Sequence, residues 1–185
     1  MMRIHLDQLT ERELLLEFEE KPETFPVLAD MIKQKECDVL VPIKIRLRIY
    51  QISDIIEVEG NLETRVRLFC SRCLQAYETQ LASRFDLTYT RSIPEDIEAS
   101  DHQKELELKA QDLGLIFFNG EEIDLTEGIQ EQAVLAFPIR PLCQQQCKGL
   151  CSKCGADLNR ENCTCHRTPK NSQFAVLKNL KWDNK

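Results

Sequence analysis

The segment IKIRLRI, residues 43–49, alternates without a break: Ile43, Ile45, Leu47 and Ile49 fall on one side, Lys44, Arg46 and Arg48 on the other. A period of two marks a strand with one face buried and one in water. The pattern continues outward along the chain. Val58 to Leu68 places Leu62, Val66 and Leu68 inward, and Tyr77 to Tyr89 does the same with Tyr77, Leu81, Phe85, Leu87 and Tyr89. Three long consecutive strands predict an antiparallel meander. A hairpin centred near Ser53-Asp54 would set Arg48 opposite Glu59 and Lys44 opposite Glu63, so cross-strand charge pairing accounts for the basic face more simply than RNA binding does.

Upstream, Ile4 to Leu9 reads as a strand and Thr10 to Glu20 as a helix. Downstream, residues 92–112 are acidic and poor in apolar side chains, the composition of an exposed excursion. Ile116 to Phe118 and Glu121 to Leu125 flank Asn119-Gly120, a strong hairpin turn signal. Asp124 and Glu127 form a capping box ahead of a helix whose stripe is Leu125, Ile129, Ala133 and Ala136/Phe137, with Pro138 ending it. Phe174, Leu177 and Leu180 suit one short amphipathic helix, with Trp182 beyond it.

The expected fold class is α+β: an antiparallel sheet meander with a packed helix and a carboxyl-terminal cysteine-rich module, whose closely spaced cysteine pairs suit zinc. Residues 1–142 would form the body and 143–185 the module. At 185 residues, 42% apolar and 30% charged, with 6 Gly and 7 Pro, the chain has the composition of a soluble globular protein. No apolar run approaches the roughly 18 residues of a membrane-spanning helix. The amino terminus resembles neither a secretory nor a transit segment.

Nine cysteines without a secretion signal point to a reducing compartment and to metal or redox chemistry. Eight fall into close pairs: Cys70/Cys73, Cys143/Cys147, Cys151/Cys154 and Cys163/Cys165, with Cys37 left as a small core residue. CSKCGADLNRENCTC, Cys151 to Cys165, is the strongest single signal, because tetrahedral zinc takes two thiolates from one tight turn and two from another. Gly155 stands where a metal knuckle needs a positive φ. Cys143 and Cys147, one helical turn apart, need two more ligands. Cys70/Cys73 would supply them in a second site, unless Cys143 to Cys154 form a differently partitioned cluster and Cys70/Cys73 remain a free dithiol. His166 reads as a surface residue rather than a ligand.

Charge is unevenly spread. From Cys143 to Lys185 eight Lys/Arg face three Asp/Glu, a net of +5, against −12 for the rest and −7 overall. Each four-cysteine zinc site carries a formal −2, so two would leave the module near +1. An RNA contact there would be local, without strong nonspecific, salt-dependent binding. No GxxxxGK[ST] or GxGxxG motif is present, and His5, His102 and His166 are scattered. All-cysteine zinc sites are closed and structural, so no enzymatic activity is expected. A thiol redox role for Cys70/Cys73 is the main competitor, but the residues after Cys73 alternate like a strand and supply no helix to stabilise a thiolate.

The run FPIRPLCQQQCKGLCSKCGADLNRENCTC from Phe137, together with the earlier CSRC and the terminal QFAVLKNLK, closely resembles the bacterial YceD family of large ribosomal RNA subunit accumulation proteins. The resemblance spans roughly residues 40–181; Ser152 departs from a proline common at that position. It implies a bacterial cytoplasmic or a plastid protein needed for accumulation or processing of large-subunit ribosomal RNA, often encoded beside a large-subunit ribosomal protein. It carries over the eight paired cysteines as a zinc-type pattern and no catalytic residue. A zinc-stabilised surface would touch ribosomal RNA or a ribosomal protein through Lys148, Lys153, Arg160, Arg167 and Lys170. The protein-only alternative is an acidic escort for a basic ribosomal protein.

Overall fold

The computed structural model describes residues 2–9, 13–91 and 114–165. Its centre is the expected meander: β4 (Ile43–Ile52), β5 (Ile55–Phe69) and β6 (Ala76–Thr90). β4 and β5 join through a tight turn in which Ser53 takes φ +54, and the register sets Lys44 opposite Glu63 and Arg48 opposite Glu59. β5 and β6 pair over their whole length, from Ile55↔Thr90 to Phe69↔Ala76. The inner face of all three strands is buried, from Ile43, Ile45, Leu47 and Ile49 through Val58, Leu62 and Val66 to Leu81, Phe85, Leu87 and Tyr89, as a two-residue period with one apolar face requires. Gly60 lies on that face under Phe85, whose ring occupies the space a side chain would take.

The amino-terminal segment departs from expectation. The stretch read as a helix is, from Leu14 to Glu20, a strand (β2) paired antiparallel with β4. LLLEFEE satisfies both periods, and the open edge of β4 decides between them: Leu14, Leu16 and Phe18 turn toward the core while Glu17 and Glu19 turn out beside Arg46 and Lys44. Tertiary pairing thus overrides a helix-favouring composition. The expected strand from Ile4 shrinks to β1 (Arg3–His5), followed by a 3-10 turn over Leu6–Leu9. A helix that periodicity did not single out, α1 (Pro26–Lys33), opens with Pro26 and buries Leu28. β3 (Cys37–Val39) then extends the sheet past the end of β4.

The Asn119-Gly120 hairpin also does not form. Gly120 takes the positive φ of a turn, +87, but the flanking strands join different sheets. β7 (Leu115–Phe117) runs parallel to the end of β6, whereas β8 (Glu122–Asp124) pairs antiparallel with β1. The Phe118 amide continues bonding to Thr90, which holds the first arm on β6 while the turn carries the second across the core.

The expected helix is present as α2 (Thr126–Leu135) and stops before Pro138. Asp124 accepts the Thr126 amide at 2.9 Å, one half of the anticipated box, with Thr126 rather than Glu127 its partner. Ile129 and Ala133 enter the core, and Gly128 lets the helix sit directly on Leu87 and Tyr89. The main core lies between the inner face of the sheet and a layer made of β1, β8, α1 and α2.

On the outer face charges pair across strands: Lys44 and Arg46 with Glu17, Arg46 with Glu63, Arg48 with Glu59, and Arg67 with Asp38 and Glu78. These exposed pairs contribute ~0–1 kcal/mol each and occupy the basic row of β4. The acidic stretch 92–112, the expected carboxyl-terminal helix through Leu177, and His166, Arg167 and Lys170 lie outside the described residues. Among the described residues no helix is long and apolar enough to cross a membrane.

Candidate metal centres

The loop between β5 and β6 is a tight knuckle. The Cys70 amide donates to the Gln75 carbonyl (2.9 Å) and the Leu74 amide to the Cys70 carbonyl (2.9 Å). Cys151 to Ala156 repeats this at the same spacing: the Cys151 amide bonds to the Ala156 carbonyl (2.8 Å) and Gly155 to the Cys151 carbonyl (2.9 Å). Both need a left-handed residue after the second cysteine, and Gly155 (φ +74) and Leu74 (φ +60) fill that place. Glycine does so freely, as expected from the sequence, whereas Leu74 bears a steric cost of about 1–2 kcal/mol.

After α2 the chain returns to the first knuckle, where the Ser71 amide bonds to the Pro141 carbonyl (2.8 Å). Cys143 and Cys147 were expected on a helical turn; they occupy a non-helical turn instead, closed by the Cys147 amide on the Gln144 carbonyl (3.1 Å). The result is still convergent. Sulfur separations are 3.8 Å for Cys70–Cys147 and 3.7 Å for Cys73–Cys143, and all four sulfurs lie within 4.8 Å of one another. Cys151, Cys154, Cys163 and Cys165 form a second such group, with Cys163 3.3 Å from Cys151 and 3.5 Å from Cys154. The pairs are thus gathered as Cys70/Cys73 with Cys143/Cys147, not as a free dithiol beside a Cys143–Cys154 cluster. Cys37 stands apart against Val66, Leu68 and Leu81, where burial, with Asp38 and Glu36 nearby, pushes its thiol up.

The donor sets suit a tetrahedral dication. Metal–sulfur bonds of about 2.3 Å imply sulfur–sulfur edges of about 3.8 Å, close to the first group and slightly wider than the second. The electrostatics agree. Burial opposes ionisation of Cys70, but the amides of Cys143, Cys73 and Arg72 outweigh it and bring the thiol to about 6. The amides of Cys154 and Lys153 bring Cys151 to about 6 likewise. The last thiol of each group resists: burial and the neighbouring sulfurs push Cys143 to about 12, and Cys163 and Cys154 push Cys165 to about 12. In each group one thiolate forms readily while another thiol resists ionisation, a conflict that a bound dication relieves. The first group is largely buried; in the second Cys154 is exposed.

Three contributors lie within the quoted cysteine motifs, but neither cysteine spacing nor periodicity singles them out. Arg72 donates from its guanidinium to the Cys147 carbonyl (2.8 Å), and its own carbonyl receives the Leu150 amide (3.2 Å). Gly149, at φ +74, lies where a Cβ would stand 3.0 Å from that carbonyl. Asn159 belongs to the second loop yet serves the first group: its amide nitrogen reaches the Cys147 sulfur (3.3 Å) and Asp157 (2.7 Å), and its oxygen accepts the Lys148 amide (2.8 Å) and Gln144 (3.2 Å). Of the candidate nucleic-acid contacts, Lys148, Lys153 and Arg160 are exposed on this arm, with Arg160 3.8 Å from Asp157.

A family model described as "Large ribosomal RNA subunit accumulation protein YceD" matches residues 58–181, which takes in most of β5, all of β6 and α2, and both cysteine groups. The chain is 26% identical over 167 residues to the chloroplastic Large ribosomal RNA subunit accumulation protein YCED homolog 1 of Arabidopsis thaliana, covering 76% of this chain and 49% of that protein. The Zea mays protein of the same name is 42% identical over 53 residues, 28% of this chain and 17% of its own. An uncharacterized protein of Mycobacterium tuberculosis is 28% identical over 115 residues, 62% of this chain and 51% of its own. The chain spans about half the length of the Arabidopsis and mycobacterial relatives. No solved structure matches.

Proposed function

Because the chain belongs to the YceD family of large ribosomal RNA subunit accumulation proteins, we propose that it is a non-catalytic ribosome-biogenesis factor supporting accumulation or processing of large-subunit ribosomal RNA. The observation that carries the mechanism is the pair of four-cysteine groups: the first ties the arm from Pro141 to Cys165 to the β5–β6 knuckle, and the second closes that arm on itself. That arm has few apolar side chains to bury, so metal binding must contribute the free energy that holds its shape. Zinc is the ion this all-thiolate, closely spaced donor set suits, and four protein ligands leave no open position for chemistry. Zinc would therefore fix a surface for ribosomal RNA or a ribosomal protein. Lys148, Lys153 and Arg160 lie on it, and Arg167 and Lys170 follow in the chain.

A direct RNA contact would be local, since residues 143–185 together with both complete sites, Cys70 and Cys73 included, stand near +1. A second reading, an acidic escort for a basic ribosomal protein, is favoured by one observation: residues 1–142 carry a net −12, and the cations of β4 are already taken by acids. Crosslinking of the tagged protein in growing cells, with sequencing of bound RNA and identification of co-purified proteins, separates the two. Reads focused on one large-subunit RNA region, lost when Lys148, Lys153 and Arg160 become Gln, support RNA contact. Recovery of a ribosomal protein without RNA enrichment supports the escort. Recovery of neither would overturn both and favour thiol redox chemistry.

A further inference from the structure

β6 is paired along Ala76–Thr90 with β5, but on its other side β7 covers only Thr88 to Thr90. From Ala76 to Leu87 its outer edge has no backbone partner among the described residues. Exposed edges of this length are templates for pairing and are normally blunted. The opposite edge, β2, is protected by its own charges, because Glu17 and Glu19 would meet like charges in an antiparallel copy. β6 carries no such guard.

We propose that this edge pairs with the same edge of a second copy, β6 against β6 in antiparallel register about Leu81. That register uses nearly all of the free run. On the outer face it sets Glu78 opposite Arg84 twice, by symmetry, and Gln80 opposite Ala82; on the inner face it sets Leu81 opposite itself, Tyr77 opposite Phe85 and Thr79 opposite Ser83. Arg84 makes no ion pair among the described residues, while Glu78 already accepts Arg67 at 3.0 Å and would bridge the two arginines. The neighbouring register of similar overlap, centred on Ala82, places Glu78 opposite Asp86 and is repelled. The self-complementarity therefore selects both the partner and the alignment, joining two sheets into one without using the cysteine arm.

Sedimentation velocity of the metal-loaded full chain over a concentration series tests this, with hydrogen exchange as the local readout. A dimer is expected whose formation slows exchange within residues 76–87 and leaves 14–20 unchanged. Arg84→Glu and Glu78→Arg should each weaken it about tenfold or more, and the double exchange should restore it, which a folding defect would not do. A wild-type monomer throughout, a dimer indifferent to these charges, or a dimer formed only after deletion of residues 92–113, which would show the chain covering its own edge, overturns the proposal.

Discussion

Asn159 offers the sharpest test of how the two cysteine groups are built. Asn159→Ala removes four side-chain hydrogen bonds, of which the bond to the Cys147 sulfur at 3.3 Å matters most. Once Cys147 is a metal-bound thiolate that bond is charge-assisted, worth about 1.5–3 kcal/mol, against about 0.5–1.5 kcal/mol for each neutral contact. Outer-shell partners of metal ligands typically alter affinity by about 10–100-fold, or about 1.4–2.7 kcal/mol, which agrees with the sulfur bond alone. The assay is metal release to a chromogenic chelator in titration, with the two release phases assigned by variants lacking Cys70 or Cys151. The first group, Cys70/Cys73/Cys143/Cys147, should lose about 10–100-fold in affinity and the second should change about twofold or less, although Asn159 lies in sequence between the ligands of the second. Asn159→Asp keeps the acceptor for Lys148 but sets a carboxylate beside the sulfur, and should weaken the first group at least as much. Loss confined to the second group, or an Asp variant that binds like the wild type, would refute the assignment.

Cys70→Ser should reduce bound metal from two equivalents to one by mass spectrometry and loosen the junction of arm and sheet; loss of both metals, or of neither, would break the partition. Gly60→Ala would place a Cβ 2.1 Å from the Phe85 ring and should cost about 1–3 kcal/mol in urea unfolding, with Phe85→Leu recovering part of it. The Tyr89 hydroxyl is buried with no hydrogen-bond partner among the described residues, and unsatisfied groups cost about 1–3 kcal/mol. Tyr89→Phe should therefore leave stability unchanged or raise it by about 1 kcal/mol, and a loss beyond 1 kcal/mol would reveal a partner for that hydroxyl.

Where the sequence was legible, a single pattern had one structural solution. β4, β5 and β6 are long runs with a period of two, unbroken over residues 43–49, and the Lys44–Glu63 and Arg48–Glu59 alignment followed from placing one turn. The α2 stripe was equally unambiguous. LLLEFEE was not, because three consecutive leucines satisfy helix and strand alike, and Asn119-Gly120 announced a turn without saying which strands it would join. The four cysteine pairs were visible from spacing alone, but spacing left open which pairs would meet.

By itself the sequence determined the meander, the docking helix and the two knuckles, since each depends on contacts between residues close in the chain. The tertiary structure decided the strand at Leu14, the separation of β7 from β8 and the meeting of Cys70/Cys73 with Cys143/Cys147. It also placed Asn159 on a sulfur of the other group. Each of these is a long-range choice among locally equivalent alternatives. The deciding free energy came from elsewhere in the fold: an unpaired edge on β4, a core to be crossed, and an Arg72 carbonyl that Gly149 approaches and the Leu150 amide satisfies.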